Sequence, residues 1–137
     1  MTPEHALPTY IDTSAATKLI IQEPESDQVR ELTLAAPILI SNVLLRIELY
    51  RALRQKGLVD QHRERLEEVV SSIDLRRMDD EIAQLACDLE SPLLRSLDAI
   101  HLATAISLMP ELAGMLTYDR RLGDAAAETG IRVLGLG

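Results

Sequence analysis

The sequence predicts an α/β fold: a parallel β-sheet flanked by helices on both faces. Three observations lead there. Short apolar runs alternate with longer stretches of helical periodicity along the whole chain. The runs themselves carry few polar residues, as strands covered on both faces require. Breakers fall between the elements: Pro24, Pro37, Gly57, Pro110 and Gly130.

The elements follow in order. LPTYID, residues 7 to 12, is a short buried strand, and the Thr-Ser pair after it suits a helix start, with helix from about Ser14 to Ile21. Pro24 breaks that helix. Glu25 to Ala35 has the mixed pattern of a surface helix and ends before Pro37. Pro37 to Ser41 is a second strand. Asn42 caps a helix from Val43 to about Lys56, which Gly57 stops. Val59 to Ser72 is a charged amphipathic helix, Ile73 to Leu75 a minimal third strand, and Asp79 to Leu89 a helix whose acidic start suits the helix dipole. Between Leu97 and Met109 no charged residue follows Asp98, so this helix is apolar all round and belongs at the centre of the molecule. Leu112 to Thr117 is a fourth strand, Leu122 to Thr129 a helix stopped by Gly130, and Ile131 to Leu134 the last strand.

At 137 residues the chain fits one domain, 1–137, with no repeat or linker to divide it. Aromatic residues make up 2%, three Tyr with no Trp or Phe, which excludes a base-stacking platform for single strands. The single cysteine, Cys87, cannot form an internal disulfide and reads as a small core residue. No signal peptide is read before Tyr10, so a cytoplasmic protein is expected. The longest apolar stretch, Leu32 to Leu45, contains Pro37 and is bracketed by Glu31 and Arg46, so no membrane span is expected. A net charge of −8 argues against generic attraction to nucleic acid. It still permits an enzyme whose divalent cations face the phosphates.

Four carboxylates stand where the fold has no structural need for them. Asp12 closes the first strand and Asp119 the fourth, at the strand ends where α/β sheets bind ligands; capping a helix is the alternative role for each. Glu48 falls inside the apolar stripe of Leu45, Leu49 and Ala52, with Arg46, Arg51 and Arg54 away from that stripe. A carboxylate there must be paired, protonated or metal-bound, a buried Arg being the simplest partner. Asp98 opens the all-apolar helix on the face of Leu102 and Ala105, a position the helix dipole also explains. If the four converge, they repel one another unless a cation sits among them. An all-oxygen donor set points to magnesium, or manganese, and to two-metal phosphoryl chemistry. Ser14 and Thr117 are placed to hydrogen-bond a site carboxylate. His101, one turn from Asp98, reads as a packed core residue before it reads as a base. Asp124 reads as solvated, with a place in the site as the alternative, and Arg120 and Arg121 as exposed or as contacts to a phosphate. Ile47 and Tyr50 lie opposite the Glu48 stripe, where an exposed pair would form a sticky patch and favour a homodimer.

YIDTSA at 10 to 15, RIELYRAL at 46 to 53, SLDAIHLATA at 96 to 105 and TYDRRLGDAA at 117 to 126 together resemble the PIN-domain ribonucleases, and among them the VapC-type toxins of toxin–antitoxin systems. The likeness runs from Tyr10 to the closing IRVLGLG. It implies a PIN-like fold and a magnesium-dependent endoribonuclease in which Asp12 and Asp98 are the principal magnesium ligands and Glu48 and Asp119 complete the acidic site. It further implies a tRNA or rRNA substrate, a homodimer and a neutralising VapB-like antitoxin. Two other strand-end carboxylate chemistries fit poorly. A receiver-like domain wants a lysine near the last strands, where the chain, with Lys18 and Lys56 alone, has none; a haloacid-dehalogenase-like phosphatase wants an Asp where Ser14 stands. The reading that stays open beside the nuclease is a non-catalytic RNA-binding or assembly module on the same fold.

Overall fold

Five short strands form one fully parallel sheet in the order β3-β2-β1-β4-β5, with β1 at Thr9–Ile11, β2 at Leu39–Asn42, β3 at Ile73–Arg76, β4 at Gly114–Leu116 and β5 at Val133–Leu134. The computed structural model describes residues 7–136; residues 1–6 and 137, the ends of the expected single domain, lie outside the described residues. Seven helices accompany the strands: α1 (Thr13–Thr17), α2 (Ser26–Ala35), α3 (Leu44–Gln55), α4 (Val59–Ser71), α5 (Asp80–Asp88), α6 (Ser96–Leu108) and α7 (Arg120–Glu128). None of them is long and apolar enough to cross a membrane.

Strand alternation divides the core in two. Ile11 and Leu116 point to one face, where they meet Leu45, Leu49 and Leu53 of α3 and Leu66 and Val69 of α4. Tyr10, Ile40 and Met115 point to the other, against Leu102 of α6 and Leu122 and Ala126 of α7. Tyr10 pairs with Ile40 on one side and Met115 on the other, so β1 is the central strand. The chain builds outward from β1 through β2 to β3, then returns to lay β4 and β5 on its opposite side. The order therefore reverses between β1 and β4, and the crevice past the carboxyl ends of those two strands is where such a sheet binds ligands.

Several sequence expectations need correction. The first helix ends at Thr17 instead of Ile21: the backbone tightens there into i→i+3 bonds, from Lys18 N to the Ala15 carbonyl and from Leu19 N to Ala16. The last helix begins at Arg120, two residues before the expected Leu122, because the Asp119 side chain accepts from the backbone N–H groups of Arg121 and Leu122. Cys87 is exposed and not part of the core. Tyr50 does not join an open patch with Ile47; it packs against the α3–α4 core and donates its hydroxyl to Glu67, while Ile47 stays 58% exposed.

Candidate active site

Asp12 follows β1 directly, and the turn into α1 buries it to 3% exposure. Burying a carboxylate demands donors, and the sequence supplies three. The Ala15 N–H donates to Oδ1 at 3.0 Å, capping α1. The Ser14 hydroxyl lies 2.7 Å from Oδ1 and 3.0 Å from Oδ2, and the Thr117 hydroxyl donates to Oδ2 at 2.6 Å. Thr117 follows β4, so the last contact ties the two central strands together at their carboxyl ends. Ser14 and Thr117 also order the next segment: the Tyr118 N–H donates to Ser14 Oγ at 2.8 Å and the Asp119 N–H to Thr117 Oγ1 at 3.0 Å. Gly135 lets this segment lie close, since its φ is +98° and a Cβ there would meet the Thr117 carbonyl at 2.9 Å.

Asp119 turns one oxygen to the α7 N–H groups, accepting from Arg121 at 3.0 Å and Leu122 at 3.3 Å. The capping role foreseen as an alternative is thus real for both strand-end aspartates. It does not compete with a site role, because a carboxylate accepts about four hydrogen bonds and neither is saturated. Asp98 lies in the first turn of α6, half-buried. Glu48 sits at the edge of the buried Leu45–Leu49–Leu53 stripe of α3. Its partner is not a buried Arg: Glu48 Oε1 lies 2.6 Å from Nε2 of His101, which is 2% exposed. The expectation of a packed, hydrogen-bonded His101 holds, with the added fact that its bond is to a candidate site acid.

Electrostatics brings the four together. The Asp98 pKa is raised, first by burial, then by the charge of Asp119, with Asp12 and Glu48 adding to the rise and His101 opposing it. The Asp12 pKa is also raised, burial outweighing the bonds from Thr117, Ser14 and Ala15. An Asp98 carboxyl pushed toward protonation by burial and by neighbouring acids, beside a buried Asp12, fits a divalent cation by charge and by donor type. Among the described residues, however, no three His, Cys, Asp or Glu side chains stand close enough to hold one ion. A shallow groove beside Glu48 is lined by Thr13, Ile47, Arg51 and Leu97, so Arg51, set aside in the sequence as lying off the apolar stripe, shares the site's edge. A larger concavity lined by Leu34, Ile38 and Arg65 opens at the amino-terminal ends of β2 and β3 and contains none of the four acids. Asp124, Arg120 and Arg121 are exposed.

Comparisons with known proteins bear on the family and the fold. The PIN domain family model matches residues 9–128. The chain is 41% identical over 125 residues to Ribonuclease VapC46 of Mycobacterium tuberculosis, covering 91% of this chain and 95% of that protein. It is 37% identical over 125 residues to Ribonuclease VapC47 of the same species, covering 88% and 91%. Among solved structures, PAE2754 from Pyrobaculum aerophilum superposes with a TM-score of 0.65 at 20% identity, covering 94% of this chain and 85% of that one. A toxin–antitoxin complex from Klebsiella pneumoniae gives 0.58 at 22% identity, covering 81% and 86%. At such identities the structural likenesses concern the fold.

Proposed function

The chain belongs to the PIN-domain family and to the VapC proteins within it, and from that premise we propose that it is a magnesium-dependent endoribonuclease toxin that hydrolyses RNA phosphodiester bonds and is neutralised by a VapB-like antitoxin. The observation that carries the reading is the placement of Asp12 and Asp119 just past the ends of β1 and β4, with Asp98 on α6 raised in pKa by burial and by the charges of Asp119, Asp12 and Glu48. These four would hold the cation. Bound there, magnesium or manganese would supply Lewis-acid activation of water and neutralise charge at the scissile phosphate. The protein's own work is placement. Ser14 and Thr117 fix the Asp12 carboxylate, the α7 cap fixes Asp119, and Arg51 offers a cation to the RNA backbone along the groove. A tRNA or rRNA substrate belongs to the same proposal, as does a homodimer, for which exposed Ile47 and Leu97 offer apolar surface.

The wide spacing of the acids favours one second reading, a module that binds RNA without cutting it. Purified protein incubated with tRNA and rRNA separates the two. Cleavage is expected with magnesium and absent in EDTA. It should fall at least about a hundredfold in Asp98→Asn, the scale of lost electrostatic stabilisation, while the chain stays folded. RNA retention without cleavage would replace the nuclease with the binding module.

A further inference from the structure

His101 is held at both ring nitrogens by residues from different elements. On one side Nδ1 lies 2.7 Å from the Tyr10 hydroxyl on β1; on the other, Nε2 of this α6 histidine lies 2.6 Å from Glu48 Oε1 on α3. The two rings meet edge to face, with centroids 5.8 Å apart and planes at 78°. Tyr10 is fully buried and His101 nearly so, so neither ring has room to turn.

The proton placement follows from the partners. Glu48 accepts, so Nε2 carries a proton and donates it. With Nε2 the donor, Nδ1 of the neutral ring is the acceptor, and the Tyr10 hydroxyl 2.7 Å away donates to it. Glu48 Oε2 makes no hydrogen bond among the described residues. Without such a partner a glutamate, with three rotatable bonds, would sample several orientations. We infer that Tyr10 and His101 form a positioning pair that clamps Glu48 Oε1 and presents Oε2 to the divalent cation. The inference rests on the reading of Glu48 as a cation ligand. His101 thus acts through Glu48 and touches no reacting atom, in the way that outer partners orient ligating groups.

The test measures manganese binding to the full chain by the EPR signal of free Mn2+, with no RNA present. His101→Met should weaken manganese binding about tenfold or more, the usual scale for losing an orienting partner. His101→Gln, which keeps an N–H donor toward Glu48, should recover most of the affinity. In a Glu48→Gln background, His101→Met should cause no further loss, because the two changes remove one interaction. Wild-type affinity in folded His101→Met, or an equal loss with and without Glu48, would overturn the inference. If His101→Met does not fold, Tyr10→Phe carries the test: weaker binding supports the pair, and wild-type affinity overturns it. Absence of manganese binding in the wild type would overturn the cation-site reading and this inference with it. Binding by the wild type with unaltered variants overturns the positioning pair alone.

Discussion

Asp12 performs two tasks with one carboxylate, capping α1 and facing the crevice, and the balance between them is measurable. Burial raises its pKa despite three hydrogen bonds, and burial together with Asp119, Asp12 and Glu48 raises that of Asp98. An acid whose pKa is higher folded than unfolded destabilises the fold once ionised. Its penalty is complete above the folded value and is relieved as pH falls through that value toward the ordinary 3.8. Glu25 and Glu67, lowered by Lys18 and Tyr50, have the opposite sign, and their contribution is lost only as pH falls through and below the ordinary 4.5. In EDTA the melting temperature should therefore rise as pH is lowered toward the ordinary carboxylate range, and Asp12→Asn should flatten that rise. A melting temperature that only falls on acidification would show that both acids are structural. At this scale the four acids were legible, because a charge interrupting an apolar run stands out. The Glu48–His101 bond was not, since 53 residues separate the partners. The available signal was two polar residues on otherwise apolar helix faces, each lacking a local partner.

Helix caps decide where elements begin, and they account for much of the difference between sequence and structure. Periodicity located every helix. It misplaces the start of α7 by two residues: a cap at Asp119 is among the alternatives the sequence offers, but the two bonds to the α7 backbone that set the start at Arg120 are not visible there. Asn42 ends β2 and does not hold the cap position, which falls to Val43, though its Oδ1 accepts from Leu44 N at 2.9 Å where α3 begins. Strand order was not legible, since apolar runs of this length look alike and nothing local says which two will be neighbours. The cap at Asp119 gives a prediction that separates its roles. Asp119→Ala should lower stability by about 0.5–2 kcal/mol, the usual cost of a lost cap. Asp119→Asn keeps an acceptor for Arg121 and Leu122, so it should melt near wild type while losing divalent-cation binding. Equal melting of the Ala and Asn variants would show that the cap contributes nothing.

The whole molecule carries a net charge of −8, yet its proposed ligand is a polyanion. The proposed function reconciles these through a cation held by Asp12 and Asp119, which follow β1 and β4, with Glu48 of α3 and Asp98 of α6. On that proposal the acids repel RNA without a cation and attract phosphate with one. The claim that the four acids form a single cation site can be measured without knowing the RNA. The measurement is the increment in melting temperature produced by magnesium at matched ionic strength, in the wild type and in Asp12→Asn, Glu48→Gln, Asp98→Asn and Asp119→Asn. Preferential binding to the folded chain predicts a saturable increment in the wild type, lost for the most part in every one of the four. An increment of the same size in all five proteins would contradict a shared site.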